Sequence, residues 1–257
     1  MRETLNINAD IAEGHGAYDI GDDAAILAVV KTANIACGMH GGDPSVMRRA
    51  ILEAERRGVS IGAHPGFNDL WGFGRRPIRM KPDELEHLVA YQIGAMLGMA
   101  AYAAIPVTHV KAHGALNNMA CVDADYADAV MRASKTVDPT LIQLVMPGTE
   151  LERAARAHGL PLAREAFVDR TYEADGTLTP RRVEGSVIRD AEAAAARAVA
   201  MAREGAVTAR TGERVPLAFE SLCVHGDEPS AVAVAQAARA ALEAAGVRIV
   251  PLPEAAA

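Results

Sequence analysis

The sequence predicts an α/β fold, one (β/α) TIM-like barrel spanning residues 1–257, and three observations carry that reading. Short β-type runs alternate with longer Ala/Glu/Arg-rich helical runs along the whole chain, the signature of a parallel sheet built from strand–helix units. Seven or eight such units follow one another, a number that suits a closed barrel better than an open sheet. The 257 residues, 50% of them hydrophobic, match the usual length of one such barrel, about 250 residues, and suffice for a large core. No linker or composition shift divides the chain before the Pro/Ala tail at 251–257, so a single domain is expected.

Taken in order, residues 5–11 read as the first strand, 22–30 as a helix and 32–37 as the second strand. Asp43 then caps a helix running to Arg57, with Pro44 at its first position, where its missing N–H costs nothing. Gly58 stops this helix and 59–64 is the third strand. A helix at 83–103 leads to a strand at 107–112, a helix at 123–137 to a strand at 141–146, and a helix at 149–158, stopped by Gly159, to a strand at 162–167. A helix at 190–205, a strand at 217–224, a helix at 229–245 stopped by Gly246, and a run at 247–251 close the series. Long irregular loops at 65–80 and 168–185 break the rhythm, as does a small hairpin at 207–217 around Thr211-Gly212-Glu213. Long loops in compact domains are usually functional.

Charge and composition remove several classes. The 33 acidic against 26 basic residues give a net charge of −7, which argues against the basic footprint of a nucleic-acid binder and against docking on an anionic membrane. No apolar run has signal-peptide length or approaches the ~20 residues of a membrane span. Cys37, Cys121 and Cys223 are too few, and odd in number, for a disulfide framework. A cytoplasmic protein without nucleic-acid or membrane partners is expected, with homo-oligomerisation left open.

The inward faces of the strands are the unusual feature. Side chains alternate along a strand, so Leu5, Ile7 and Ile11 share one face of the first strand while Asn6, Asn8 and Asp10 share the other. In the fourth, Thr108, Val110 and Ala112 oppose His109, Lys111 and His113; Asn34, the set Ser60, Gly62 and His64, and Gln143 take the same polar side elsewhere. Barrel interiors are ordinarily Val, Ile and Leu, and an unsatisfied buried polar group costs about 1–3 kcal/mol. A hydrogen-bonded cup is therefore expected. Five motifs place His or Asp and then Gly after a strand: Asp10-Ile-Ala-Glu13-Gly14, Cys37-Gly-Met-His40-Gly-Gly-Asp43, His64-Pro-Gly66, Lys111-Ala-His113-Gly114 and His225-Gly-Asp227. Barrel enzymes carry their chemistry at these strand ends.

Individual residues divide between site and scaffold. Asp43 and Asp227 read as helix N-caps, and His87 and His158 as solvent-facing helix residues; His15 is left open. Asp10 and Glu13 form a carboxylate pair suited to acid–base work or metal binding, with an Asx turn as the alternative. Cys37-x-x-His40 is half of a zinc pattern without its second half. An open metal site from Asp10, His40, His64 and His113 is an alternative, but no bound catalytic metal is expected. Phosphate-loop, dinucleotide and serine-elbow motifs are absent. Gly72-Phe-Gly74-Arg75-Arg76 reads as an anion-binding lid or an exposed basic loop, and Asp169-Arg170 with Asp175-Gly176 and Arg181 poses the same choice.

In combination these blocks, with Ala33-Asn34-Ile-Ala-Cys37, Asp69-Leu-Trp-Gly72, Glu165-Ala-Phe-Val-Asp169-Arg170 and Asp175-Gly176-Thr-Leu178, resemble the LamB/YcsF family over essentially the whole chain. Asn6 stands where that family usually has Asp, Ala12 for Gly, Ala112 for Pro and Asn117 for Tyr; Asn6 removes a carboxylate that a metal could have used. The resemblance implies a distorted barrel similar to the glycoside hydrolase/deacetylase barrels. It also implies the 5-oxoprolinase reaction, ATP-dependent (with Mg) opening of 5-oxo-L-proline to L-glutamate, beside partner subunits B and C. On this reading Asp10, Glu13, His40, His64 and His113 are catalytic, and Asn8, Asn34, Arg75, Arg76, Lys111, Glu165, Arg170 and His225 hold substrate or anions. The rival expectations are a stand-alone metal-dependent deacetylase or amidohydrolase, and a non-catalytic subunit binding a small carboxylate.

Overall fold

The computed structural model describes residues 2–225 and 230–256. The chain runs through β1 (Thr4–Ile11), α1 (Asp23–Leu27), β2 (Thr32–Ala36), α2 (Pro44–Arg56), β3 (Ser60–His64) and α3 (Pro82–Tyr102). It continues with β4 (Val107–Val110), α4 (Gly114–Ala120), α5 (Ala124–Val137), β5 (Ile142–Val145), α6 (Glu150–Ala157) and β6 (Leu162–Phe167). The last part holds α7 (Ala191–Glu204), β7 (Ala206–Thr208), β8 (Arg214–Pro216), β9 (Ser221–His225), α8 (Ala231–Ala244), β10 (Arg248–Ile249) and α9 (Leu252–Ala255). Among the described residues, seven parallel strands, β1 to β6 and β9, close a barrel, with β9 pairing back onto β1. The hairpin of β7 and β8 pairs apart from it. The last predicted strand does not join the barrel wall as a full member: β10 pairs only with Thr4 and Leu5 at the foot of β1. The short α9 follows it, and the Leu252 amide donates to Thr32 Oγ1.

Two further departures concern helices. The helix expected at 22–30 spans only five residues, α1, capped by Asp22. A helix absent from the sequence reading, α4, follows β4. Its Gly start and Asn117-Asn118 centre are poor helix formers, and it exists through tertiary contact. The Ala115 amide donates to the Gly74 carbonyl at 2.9 Å, and a Cβ on Gly114 would lie 2.7 Å from that same oxygen. Asp43 caps α2 as expected, accepting from the Ser45 and Val46 amides. His87 is exposed, whereas His158 is half-buried with Nε2 2.7 Å from Asp128 Oδ1, not solvent-facing. Asp227 and Pro229 lie outside the described residues. No helix among the described residues is long and apolar enough to cross a membrane.

The β1 pattern resolves as alternation requires. Leu5, Ile7, Ala9 and Ile11 pack outward in the apolar core, and Asn6, Asn8 and Asp10 are buried within the barrel. The polar interior is layered. At the foot, Asn6 Nδ2 donates to Thr32 Oγ1 (2.7 Å), Thr32 meets Ser60 (2.7 Å), and Ser221 donates to Asn6 Oδ1 (2.6 Å). Above it, Asn34 donates to Asn8 Oδ1 (2.7 Å) and accepts from His109 Nε2 (2.8 Å). Satisfied in this way, the amides cost little to bury and fix strand register. Asn6, the departure from the family pattern, is thus a donor and acceptor in the foot layer, below the cup.

Candidate active site

The third layer lies at the strand ends. Lys111, just past β4, is buried with Nζ 2.9 Å from Asp10 Oδ1, 3.1 Å from Glu165 Oε2, 3.1 Å from Cys223 Sγ and 3.4 Å from Asn8 Oδ1. Asp10 Oδ1 also accepts from Asn34 Nδ2 at 2.8 Å. Burial pushes the Asp10 carboxyl up, but the neighbouring His64 and Lys111 outweigh it and hold it well below the usual range. Burial likewise pulls Lys111 down, while Asp10, Cys223 and Glu165 hold it well above. Glu165, whose Oε1 is buried without a hydrogen-bond partner, is raised by burial despite Lys111. Asp10 and Lys111 are therefore a fixed ion pair, with Glu165 the more easily protonated of the two carboxyls around Lys111.

Three imidazoles and Glu13 fill the rest of the cup. His40 comes from the turn after β2, His64 ends β3, and His113 caps the start of α4; all three and Glu13 are buried. His64 Nδ1 donates to the Lys111 carbonyl (2.7 Å), and His113 Nε2 to the Phe73 carbonyl (2.8 Å). His64 Nε2 and His113 Nδ1 lie 3.0 Å apart. Glu13 Oε1 is 3.2 Å from His40 Nε2 and 3.3 Å from His113 Nδ1, and Asp10 Oδ2 is 3.3 Å from His64 Nε2. Burial and the neighbouring imidazoles hold His40 and His113 well below the ordinary histidine value. The packing leaves no room for side chains between loop and rings: Gly74, at φ +62°, would place a Cβ 2.6 Å from His40 Cβ.

The Gly/Arg-rich loop supplies the wall. Its 3₁₀ turn (Leu70–Gly72) is capped by buried Asp69, which also binds Arg76. Phe73 then takes a left-handed conformation (φ 54°) that aims its carbonyl at His113, a costly backbone state for a bulky residue. Arg75 is exposed and lies over the Phe73 ring at 4.9 Å. Arg76 is engaged in holding the loop. Arg170 is buried, its guanidinium donating to the Thr179 carbonyl in the second long loop and to the Ser186 carbonyl just past it. His225 ends β9, with Nδ1 2.8 Å from Asp169 Oδ2, and a ring nitrogen within 4.8 Å of donor atoms of Asp10 and Cys223.

The structure thus gathers Asn8, Asp10, Glu13, Asn34, His40, His64, Lys111, His113, Glu165 and His225 around one cup, with Arg75 at its loop, and leaves Arg76 and Arg170 in scaffold contacts. It adds Cys223 and Asp169, which sequence reasoning does not place there. Cys223 is legible as an inward residue two places after Ser221; Asp169 lies in an irregular loop, where no periodicity indicates direction.

Two groups could hold a metal by proximity, Glu13/His40/His64/His113 and Asp10/Cys223/His225. His40 and His113 stack face to face, 3.6 Å between centroids and 3° between planes, so their in-plane lone pairs run parallel and cannot converge on one centre. In the second group the Lys111 ammonium already occupies the cation position between Asp10 and Cys223.

A family model described as the LamB/YcsF family matches residues 5–257. The A subunit of 5-oxoprolinase from Rhodopseudomonas palustris (strain BisB5) is 50% identical over 248 residues, 96% of this chain and 98% of that one. The crystal structure of a lactam utilization protein from Thermus thermophilus is 44% identical with a TM-score of 0.93, covering 97% of this chain and 100% of that one. The catalytic domain of a peptidoglycan N-acetylglucosamine deacetylase from Eubacterium rectale, 12% identical over 99% of this chain and 92% of that one, superposes with a TM-score of 0.51. The expected likeness to deacetylase barrels therefore holds for the fold. With a family model spanning nearly the whole chain and a relative half identical along its length, this chain belongs to the LamB/YcsF family.

Proposed function

We propose that this chain is the A subunit of a cytoplasmic 5-oxoprolinase, a hydrolase that opens 5-oxo-L-proline to L-glutamate with consumption of Mg-ATP, acting with partner subunits B and C. The observation that carries the reading is the buried cup of Asp10, Glu13, Lys111 and three imidazoles in a chain half identical to the A subunit of a 5-oxoprolinase. An unstrained lactam is a poor electrophile. Activating its carbonyl by phosphorylation makes the carbon open to water, and the site must then deprotonate water, stabilise the developing oxyanion and protonate the departing nitrogen.

The side chains divide accordingly. Asp10 is tied by Lys111 and Asn34 and acts as an orienting charge. Glu13, beside His40 and His113, is the base for water. Asn8, Asn34, Lys111, Glu165 and His225 line the substrate space, and Arg75 faces the anion. Arg76 and Arg170 act through the loops they hold. ATP is used where the partner subunits complete the site, since the chain carries no phosphate-loop motif. The test is turnover of 5-oxoproline by this chain alone and with its partners, each with and without ATP. Glutamate is expected only from the full set with ATP. Turnover by the chain alone without ATP would replace this reading with that of a stand-alone amidohydrolase.

A further inference from the structure

The acceptors around Lys111 are not used alike. Asp10 Oδ1 accepts from Asn34 Nδ2 (2.8 Å) and Lys111 Nζ (2.9 Å), and Asn8 Oδ1 accepts from Asn34 Nδ2 (2.7 Å). Asn34 Oδ1 meets His109 Nε2 at 2.8 Å. Asp169 Oδ2 accepts from the backbone N–H of His225 at 3.0 Å and meets its ring nitrogen at 2.8 Å. Glu165 differs. Its side chain is buried and its Oε2 is 3.1 Å from Lys111 Nζ, yet neither oxygen takes a hydrogen bond from the described residues. An ammonium has three protons to give, and those of Lys111 are directed at Asp10, Cys223 and Asn8. Lys111 therefore supplies Glu165 with opposite charge and no hydrogen bond. Leaving such a buried acceptor unused costs about 1–3 kcal/mol, and native folds rarely tolerate it without a functional reason.

We infer that Glu165 Oε1 accepts the N–H of a bound cyclic amide, so that the site selects lactams over rings that lack this donor. A lactam and the corresponding lactone share their shape and their carbonyl, and differ in one ring atom: an N–H donor in the first, an oxygen with lone pairs in the second. Only an acceptor can tell them apart, and a carboxyl oxygen is one. The surroundings of Glu165 suit a flat ring. Glu165 stands in register with Ser221 of β9, and Phe167, two residues on along β6, shares its face. The Phe167 ring stacks on His225, 5.5 Å between centroids and 19° between planes, and Lys111 Nζ lies 5.6 Å from its centre. An aromatic wall beside a few fixed polar groups is the usual make-up of a small-molecule site.

The identity of the ring rests on the lactam-opening reading; the unused acceptor does not. Glu165 acts in this account by recognition, forming no covalent bond. With a lactone bound it would stay unpaired and face an oxygen lone pair in a buried site. A site built to hydrogen-bond an N–H rejects the analogue lacking it far more strongly than an apolar pocket rejects the loss of a methylene.

The experiment is calorimetric titration with 5-oxo-L-proline and with its lactone counterpart, 5-oxotetrahydrofuran-2-carboxylate. Both are added, without ATP, to the full chain and to the chain assembled with its partners. The wild type is expected to bind the lactam at least about 10-fold more tightly than the lactone. Glu165→Gln keeps the shape of the side chain, and its amide can turn N–H to a ring oxygen as readily as C=O to a ring N–H. In that variant the two affinities should come within about twofold of each other, with circular dichroism unchanged. A merely structural Glu165 would lower both affinities together and leave their ratio where it was, which would overturn the inference. Equal binding of the two rings by the wild type would overturn it too, whether or not the variant folds, and leave the lactam reading standing. Binding of neither ring, in any of these forms, would remove both.

Discussion

At the residue scale, Asp10, His64 and His113 meet at the ends of neighbouring strands, so small changes there should remove chemistry and spare the fold. Asp10→Asn, His64→Ala and His113→Ala are each expected to cost the assembled enzyme at least about 10²-fold in turnover, with circular dichroism unchanged; near-normal turnover in all three would move the site elsewhere. Asp23 offers a different measurement. Its carboxylate accepts from the Ala12 amide, and burial raises it from 3.8 to about 6. The fold thus holds a proton that the unfolded chain has released between those values. Stability contributed in acid is lost as pH rises from about 4 to about 6, by up to about 3 kcal/mol. Asp23→Asn keeps an acceptor for Ala12 and removes the charge, so urea unfolding should show the variant gaining on the wild type through that interval and holding the gain above it. An unchanged difference between pH 4 and pH 7 would show that Asp23 is not the cause.

At the element scale, the loop from Asp69 to Arg76 joins the surface to the chemistry. Its outer turn exposes Trp71 almost fully (97%). Just beyond that turn, the Phe73 carbonyl holds His113 and the Gly74 carbonyl holds the start of α4. Arg75→Ala with Arg76→Ala is expected to weaken assembly with the partner subunits or raise the apparent KM several-fold; in the chain alone Arg75→Ala should leave Tm unchanged, its side chain being exposed, whereas Arg76→Ala should lower it by unpairing buried Asp69. Trp71 is the one tryptophan, so its fluorescence reads the outcome: a blue shift on adding partners in the wild type, reduced in the double variant. A double variant that assembles and turns over normally would remove the loop from the contact.

At the scale of the whole molecule, the barrel presents a polar, hydrogen-bonded interior in which the Lys111 ammonium stands in the cation position between Asp10 and Cys223. Chelation in an assay with Mg-ATP restored afterwards is therefore expected to leave activity intact, within about twofold. Permanent loss, recovered only by a transition metal, would contradict that account of the cup.

Sequence alone carried the closed barrel of strand–helix units and much of the cup, because period-two alternation assigns direction to every residue on a strand. Asn8, Asp10, Asn34 and His64 are legible for that reason. Where residues lie in loops, alternation is silent, and only tertiary structure decided the outcome. It turned Arg76 onto Asp69 and Arg170 onto backbone carbonyls, brought Asp169 to His225, and built α4 on the Gly74 carbonyl against its own weak propensity. The protonation of the cup belongs to the same class. Histidine type and spacing leave either ring nitrogen free to carry a proton, and the carbonyls of Lys111 and Phe73, far apart in sequence and brought to the same cup by folding, determine which one does.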